Sequence, residues 1–446
     1  MILSHGPVIE KFEIPDEWRY RGEGNCNVVL CLPKTRKILR IRKSDKPKSI
    51  IGWIFVLISD FLFWYCGIGF KDELRDVNFY SNIMRPLFGQ FYTSPANQVV
   101  LTPKQIKILN YELRKVRPEY RHHKTLQYGR AAIFDDFAVL PMEKFHNLHA
   151  EFESETFSVE IKPKQGWRPR EEREHPKCLF CMQQYLKLEK RQIQQVTGYC
   201  PEDLFSGDQS RMVKALKHLF EAPQNNFRIF KNGFLVYGNN MDSRNVLREI
   251  FENNLTSFDT LLDEFCVFLY ACLTADFSEN VENGCPICVG RVNRDVTSPL
   301  PKGCVLDKIL SVQLLDVEGN RSTYETYSKL SNLDEWSFVE KLSEERKRKG
   351  GCVKCLIEHN KHGDFVFVPY LLSAIAKDCS LMITFKKLAR YSSHGSVKHV
   401  FRTKYGEFLV NIGVFDLYPK PLSTIAKHYR RNIEIVQAFG RAQKVN

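Results

Sequence analysis

The spacing of apolar residues changes period several times along this chain, and each change marks an element. Residues 18–43 alternate the apolar runs VVLCL and KILRI with polar turns at GEGN and PKT, which predicts a small antiparallel sheet. Residues 74–88 and 103–117 carry helical spacing. AAIFDDFAVLP (131–141) reads as an apolar strand that breaks into an acidic connector, and FSVEIKPKQGW as the strand after it. Further on, RMVKALKHLF (211–220), NVLREIFENNL (245–255) and FDTLLDEFCVFLYACL (258–273) have helical patterns, and 302–317 and 322–348 read as two successive helices. DCSLMITFKKL (378–388) and KYGEFLVNIGVFDLY (404–418) predict strands, and a basic helix closes the chain. The class is therefore α+β, with a small β-rich front lobe over 1–148 and a larger, mainly helical back lobe over 149–446.

One segment fits neither lobe. Residues 50–70, IIGWIFVLISDFLFWYCGIGF, are long enough for a bilayer and hold a single formal charge, Asp60. A span here would separate parts of one small lobe, and a central carboxylate opposes it by about 2.5–3.5 kcal/mol. The expectation is a buried or membrane-touching insertion, with a translated intron or a true span as the alternatives. The first residues show no basic stretch followed by an apolar core of the secretory kind. Sixty-five Lys and Arg against 52 Asp and Glu give +13, which admits nucleic acid, a membrane surface or phosphorylated small molecules without choosing among them.

Specific chemistry enters with Val159-Glu160-Ile161-Lys162-Pro163-Lys164. The proline keeps this segment extended, so Lys162 and Lys164 share one face, a rigid two-ammonium clamp for a multiply phosphorylated anion. Arg21-Gly22-Glu23-Gly24-Asn25-Cys26-Asn27 allows a tight turn between strands with backbone N–H groups toward an anion. Arg40, inside the apolar run ILRI, calls for an anionic partner. Together with the acidic connector these features suit a nucleotide-holding kinase, yet there is no HRDxxxxN and no DFG. The acids must come from elsewhere. Asp378 and Asp416, each at one end of an apolar strand, are the candidates for hydroxyl acceptor and metal carboxylate.

Taken with RGEGNCNVV, VEIKPKQGW, MQQYLKL, CPEDLFSGDQSRM, APQNNFRIFKNG, AKDCSLMI and FDLYPKPL, in that order, the chain resembles the inositol-pentakisphosphate 2-kinase family from Trp18 to about Val436. The resemblance implies transfer of the ATP γ-phosphate to the 2-hydroxyl of inositol 1,3,4,5,6-pentakisphosphate, with Mg2+, in a two-lobed kinase-like fold. It implies that Gly22, Gly24, Asn27 and Arg40 hold nucleotide phosphates, that Asp135 and Asp136 form the hinge near adenine, and that Asn225, Asn226 and Arg228 reach ribose and phosphates. Asp378 would then be the base and Asp416 the magnesium ligand. Arg121, Lys162, Lys164, Lys187 and Lys420 would bind the inositol phosphates. The chain departs from the pattern at Gln183, where some members have histidine, and at Thr424 and His428, which replace an arginine and a tyrosine of plant enzymes. The basic residues after Arg40 are here Arg42, Lys43 and Lys46.

Fourteen cysteines include three CxxC pairs, a chelating spacing. His175, Cys178, Cys181 and Cys200 make a candidate structural Zn2+ set, with reduced structural thiols as the alternative. Cys285, Cys288, Cys352 and Cys355 form a second candidate set, which competes with Cys352, Cys355, His359 and His362 and with free thiols. A zinc-containing nucleic-acid-binding protein would show aromatics interleaved with Lys and Arg, and no such stripe occurs. A non-catalytic kinase-like scaffold would be favoured by loss of Asp378 or Asp416, and both are present. The expectation is a monomer acting on ATP and inositol pentakisphosphate, with no need for nucleic acid, in the cytoplasm or nucleus.

Overall fold

The computed structural model describes residues 12–24, 26–47, 49–66, 71–145, 148–152, 155–238, 245–277, 298–330, 334–350, 352–359, 365–393 and 398–445. They fall into two compact units, Met1–Ser81 with Ser94–Asp136, and Asn82–Thr93 with Phe137–Asn446.

The first unit is built on five antiparallel strands, β1 (Arg19–Glu23), β2 (Asn27–Leu32), β3 (Lys37–Asp45), β4 (Asn97–Val99) and β5 (Lys124–Asp135), in the order β1-β2-β3-β5-β4. Alternation sends Val28, Leu30 and Leu32 of β2 and Leu39 and Ile41 of β3 into one buried cluster. Helix Pro103–Leu113 covers that cluster with Ile106, Leu109 and Leu113, which share a face. Its start is written in the sequence: Thr102 caps the N–H of Gln105, Gln105 reaches back to Thr102, and Pro103 needs no donor.

A buried charge cluster closes this unit. Glu23, 2% exposed, receives Arg117 at 2.9 Å and an ion pair from Lys43, itself fully buried. Burial alone would raise the Glu23 carboxyl, but the hydrogen bonds from Arg117 and Lys43 outweigh it and hold the group below its usual range. Lys43 also donates to the carbonyl of Gly24 at 2.7 Å, and Arg42 pairs with Asp76 at 3.1 Å. Both residues are thus committed within the unit.

Residues 50–66 form one helix, and the expectation of burial fails for its first half. Ile50 is 80% exposed, Phe55 68% and Leu57 65%, and Trp53, Ile54 and Ile58 are also exposed. Among the described residues, no helix is long and apolar enough to cross a membrane.

The second unit holds a seven-stranded sheet of β6 (Leu148–Phe152), β7 (Phe157–Ile161), β8 (Phe227–Lys231), β9 (Phe234–Tyr237), β10 (Ser380–Ser393), β11 (Val400–Thr403) and β12 (Gly406–Phe415). The order is β11-β12-β10-β7-β8-β9, with β6 paired to β10. Every residue of β7 is buried, as a central strand covered on both faces requires. Phe265 and Phe268, from helix Phe258–Thr274, meet Phe385 and Phe408 of the sheet edge-on or tilted, at 5.1–6.5 Å between ring centres.

Several predicted boundaries move. The strand expected through VEIKPKQGW stops at Ile161, and Asp378 ends a helix, Val368–Asp378, rather than opening a strand. The long helix expected over 322–348 is two, Asn320–Ser328 and Ser337–Lys349. The one expected over 302–317 is only Val305–Gln313.

Glu23→Gln should destabilise the first unit by about 3–5 kcal/mol, because it leaves two buried cations short of their anion. Denaturant unfolding at pH 7 checks this. Since the Glu23 carboxyl is depressed in the fold, its contribution is present above the unfolded pKa and vanishes as acid protonates the folded group, so the gap between wild type and variant should close there.

Candidate active site

In the first unit the β1–β2 turn is tied by Gly24 N–H to the carbonyl of Asn27 at 3.0 Å. A side chain at Gly22 or Gly24 would meet nothing within 4 Å, so these glycines border open space that an anion can approach. Arg40, opposite Val29 on β2 and Ala132 on β5, faces Asn27. With its amide oriented toward the guanidinium, Asn27 accepts from Arg40 Nε at 3.1 Å and Nη2 at 2.9 Å. Asp135 and Asp136 are less available than a hinge reading implies: Asp135 pairs with Lys37 and Asp136 with Arg21, both at 2.5 Å. Arg121 lies on the short turn Glu119–Arg121, where its carbonyl accepts from Arg117 and its guanidinium covers the Tyr120 ring at 5.2 Å.

In the second unit, strand register gathers the other candidates at one end of the sheet. Ile161 of β7 pairs with Phe227 of β8 and with Leu381 of β10, and Ser380 pairs with Phe415 of β12. Lys162, Asn226, Asp378 and Asp416 follow or precede those residues by one or two positions, so four distant segments end together. Lys162 N–H donates to the carbonyl of Asn226 at 2.9 Å. Buried Asn226 keeps its side-chain oxygen without a protein partner, whereas Asn225 is exposed. Asp416 carries the positive φ of 64° that turns the chain off β12.

The lysine clamp forms by a different route from the one extended backbone would give. Lys164 has φ 62°, a left-handed turn that costs a non-glycine residue roughly 1 kcal/mol or more. That turn brings its ammonium to 3.8 Å from one Asp378 oxygen, while Lys420 pairs with the other. Its own desolvation opposes charge on Asp378, whose side chain is nevertheless half exposed, and Lys420 and Lys164 prevail and push its carboxyl down to about 2. Burial, together with Lys162 and Lys420, lowers Lys164 in turn despite the attraction of Asp378. Lys187, in helix Leu179–Glu189, is lowered by burial and by the charges of Lys164 and Arg431. Among the described residues neither Lys162 nor Lys187 has a carboxylate within ion-pair distance.

Three sets of contacts were not anticipated from the sequence, although Glu160 and His428 are named there. Glu160, buried on β7, lies opposite Arg228 in register and holds it at 3.4 Å. Gln313 is fully buried and bonds to both sides of the clamp. Tyr370 Oη meets His428 Nδ1 at 2.8 Å, and burial and Lys420 bring His428 down to about 4. Glu160 stands inside EIKPK and was findable as the acid of an apolar strand. Gln313 is 149 residues from Lys164, and no local pattern marks it.

Cys178, Cys181 and Cys200 come together with all their sulfurs within 4.8 Å, Cys178 and Cys200 being 3.9 Å apart. Cys178 and Cys200 are the N-cap residues of helices Leu179–Glu189 and Pro201–Leu204. His175 is not part of this group. Its carbonyl accepts from Arg168 at 2.9 Å, and burial and Arg321 lower its imidazole. Tyr199 links the cluster to the clamp: its carbonyl faces Cys181 Sγ at 3.9 Å and its hydroxyl donates to the carbonyl of Pro163 at 2.7 Å. Cys285, Cys288 and His362 lie outside the described residues. Cys355 is buried and Cys352 half-buried beside helix Val353–His359.

A family model described as inositol-pentakisphosphate 2-kinase matches residues 20–434. Curated relatives named inositol-pentakisphosphate 2-kinase are 26% identical in Danio rerio, over 96% of this chain and 94% of the relative, and 26% in Arabidopsis thaliana, over 98% and 96%. One from Drosophila melanogaster is 28% identical over 50% of this chain and 49% of its own length.

The Asp378 carboxyl is depressed, so its contribution to stability is complete above the unfolded value of about 3.9 and is lost as pH falls through about 2. Asp378→Asn should therefore unfold at a lower temperature than wild type at pH 7, with the difference shrinking between pH 4 and pH 2 in a calorimetric series. A constant difference across that window would contradict the two-lysine clamp.

Proposed function

The chain belongs to the inositol-pentakisphosphate 2-kinase family, and on that premise we propose that it transfers the γ-phosphate of ATP to the 2-hydroxyl of inositol 1,3,4,5,6-pentakisphosphate, giving the hexakisphosphate. One observation carries the substrate choice. Lys162, Lys164, Lys187 and Lys420 gather at one sheet end, with Asp378 ion-paired to Lys164 and Lys420. Five phosphates bring a charge of roughly −8 to −10, an anion that such a lysine group suits and that one carboxylate cannot replace.

The same lysines tune the base. With no substrate, Lys164 and Lys420 hold Asp378 too acidic to take a proton readily. Substrate phosphates compete for those ammonium groups, and each lysine they draw away returns Asp378 toward the ordinary carboxylate range. The bound substrate thereby raises the basicity of the group that serves it. The hydroxyl oxygen then bonds to the γ-phosphorus, the bond from that phosphorus to the β–γ bridging oxygen breaks, ADP leaves, and the hydroxyl proton passes to Asp378.

In the first unit, Gly22, Gly24, Asn27 and Arg40 are assigned to nucleotide phosphates, and Arg121 to an inositol phosphate. In the second, the unpartnered oxygen of Asn226 suits a ribose hydroxyl, and Arg228, steadied by Glu160, suits a phosphate. Mg2+ would be held by Asp416 and would neutralise charge between the β- and γ-phosphates.

A structural Zn2+ fits the cysteine cluster. Two sulfurs bonded to one tetrahedral zinc sit roughly 3.8 Å apart, given Zn–S bonds of about 2.3 Å, close to the 3.9 Å between Cys178 and Cys200. Cys178, Cys181 and Cys200 would hold it, and His175, which stands outside their cluster, would have to swing in to serve as the fourth ligand. Its part is positional, since the adjoining Tyr199 anchors Pro163 of the clamp.

The decisive assay incubates the protein with ATP, Mg2+ and the pentakisphosphate and looks for hexakisphosphate; none formed by folded protein would refute the proposal. Asp378→Asn should lower kcat by at least about 100-fold while the fold survives. Lys164→Ala should raise KM for the inositol phosphate more than KM for ATP, and the reverse order would remove Lys164 from the clamp. Metal analysis should find zinc, and Cys178→Ser should lose one equivalent and melt at a lower temperature.

A further inference from the structure

The two sides of the clamp come from segments more than 200 residues apart, yet Lys164 and Asp378 must keep a fixed separation. Their backbones share one hydrogen-bonding group. Gln313, the last residue of helix Val305–Gln313, is fully buried, and its side-chain oxygen accepts from Gly166 N–H at 2.9 Å. Its side-chain nitrogen donates to the carbonyl of Lys164 at 2.8 Å and to the carbonyl of Ala376 at 3.3 Å. Ala376 lies in the last turn of the helix that ends at Asp378, and Ser373 of that helix donates to the Gln313 carbonyl at 2.9 Å. One amide thus uses both N–H donors and one acceptor site of its oxygen.

We propose that Gln313 is a positioning residue: its amide holds the Lys164 turn against the end of the Asp378 helix and so sets the spacing of clamp and base.

Three features support a role beyond filling space. The turn it grips contains Lys164 at φ 62°, a backbone state that persists only when its surroundings fix it. The grip is two-sided, on the carbonyl of Lys164 and on the N–H of Gly166, which defines the orientation of the turn as well as its distance. Gly166 is itself locked, because a Cβ there would lie 2.2 Å from the Phe205 ring. No other residue type offers two donors and one acceptor on a flat neutral group of this length. Glutamate would set a carboxylate against two carbonyl oxygens, and methionine would match the volume with no hydrogen bonds.

This inference rests on the kinase reading for its kinetic arm only. Gln313→Met keeps the buried volume. It should raise KM for the pentakisphosphate at least about tenfold and lower kcat, with KM for ATP within about twofold, in line with the cost of small misplacements at a reacting centre. Backbone amides of 164–167 and 375–379 should exchange hydrogen faster in the same variant. Ser373→Ala, a milder change that frees only the Gln313 carbonyl, should shift KM for the pentakisphosphate in the same direction by a smaller factor, and serves if Gln313→Met does not fold. Leu306→Ala, from the same helix and equally buried, is the control for general destabilisation: it should lower the melting temperature and leave both KM values alone. Folded Gln313→Met or Ser373→Ala with wild-type KM and wild-type exchange in both segments would overturn the proposal. If wild-type protein makes no hexakisphosphate, the kinase reading falls, and the exchange measurement alone decides: faster exchange in both segments upholds the positioning role and unchanged exchange overturns it.

Discussion

Mutual repulsion among Lys162, Lys164, Lys187 and Lys420 is the constraint to which the second unit is built. Lysines on flexible surface segments would swing apart into water, where charges at such distances are screened. Here they cannot retreat, because the backbone carrying them is anchored residue by residue. Lys162 N–H is held by Asn226, the Pro163 carbonyl by Tyr199, and the Lys164 carbonyl and Gly166 N–H by Gln313. Lys187 comes on a helix whose first turn is capped by Cys178, in the cysteine cluster that also contacts Tyr199. Burial first, and neighbouring cations after it, lower the proton affinity of Lys164 and Lys187. Free energy withheld from the empty site becomes available to a polyanion that neutralises it.

Much of this arrangement was legible in the sequence, for reasons tied to particular residues. Apolar runs bounded by turn residues located β2, β3, β7, β10 and β12, because burial on one or both faces leaves a period that needs no tertiary knowledge. The clamp lysines were legible as residue types, but the geometry first inferred for them was not the one realised. Proline fixes its own φ and biases the residue before it, and it leaves the residue after it free. Lys164, the residue after, adopts the left-handed turn. Asp378 was placed at a strand end and instead closes a helix, since Cys379 alone separates helix from strand and the apolar pattern runs through both. Gln313 was illegible because its meaning lies in three partners far along the chain.

The first unit shows the opposite use of charge. Arg21, Lys37, Arg42, Lys43 and Arg117 all face acids, Asp136, Asp135, Asp76 and Glu23, and so leave little uncompensated charge to attract a ligand. The acidic connector, read from sequence as a nucleotide hinge, owes its aspartates to these pairs, and the backbone of the connector is what remains for recognition. Arg40, for its part, donates from Nε and Nη2 to the side-chain oxygen of Asn27. Helix Ile50–Cys66 follows β3 at a point where the flanks are pinned together by Arg42 and Asp76, which explains how a long apolar insertion can leave the sheet intact.

An aspartate held near 2 by two lysines would be a poor base in any enzyme whose lysines stayed in place. Under the proposed reaction, phosphates that draw these lysines away would restore its basicity, and a polyphosphate is a substrate able to do so. A neutral alcohol, or one bearing a single phosphate, would leave at least one ammonium on Asp378 and the carboxyl correspondingly acidic. Basicity therefore rises with the number of phosphates presented to Lys164 and Lys420 together. Under the proposed reaction the clamp would then discriminate twice, once through affinity and again through proton transfer, and the second discrimination would appear in kcat, where binding alone would leave no mark.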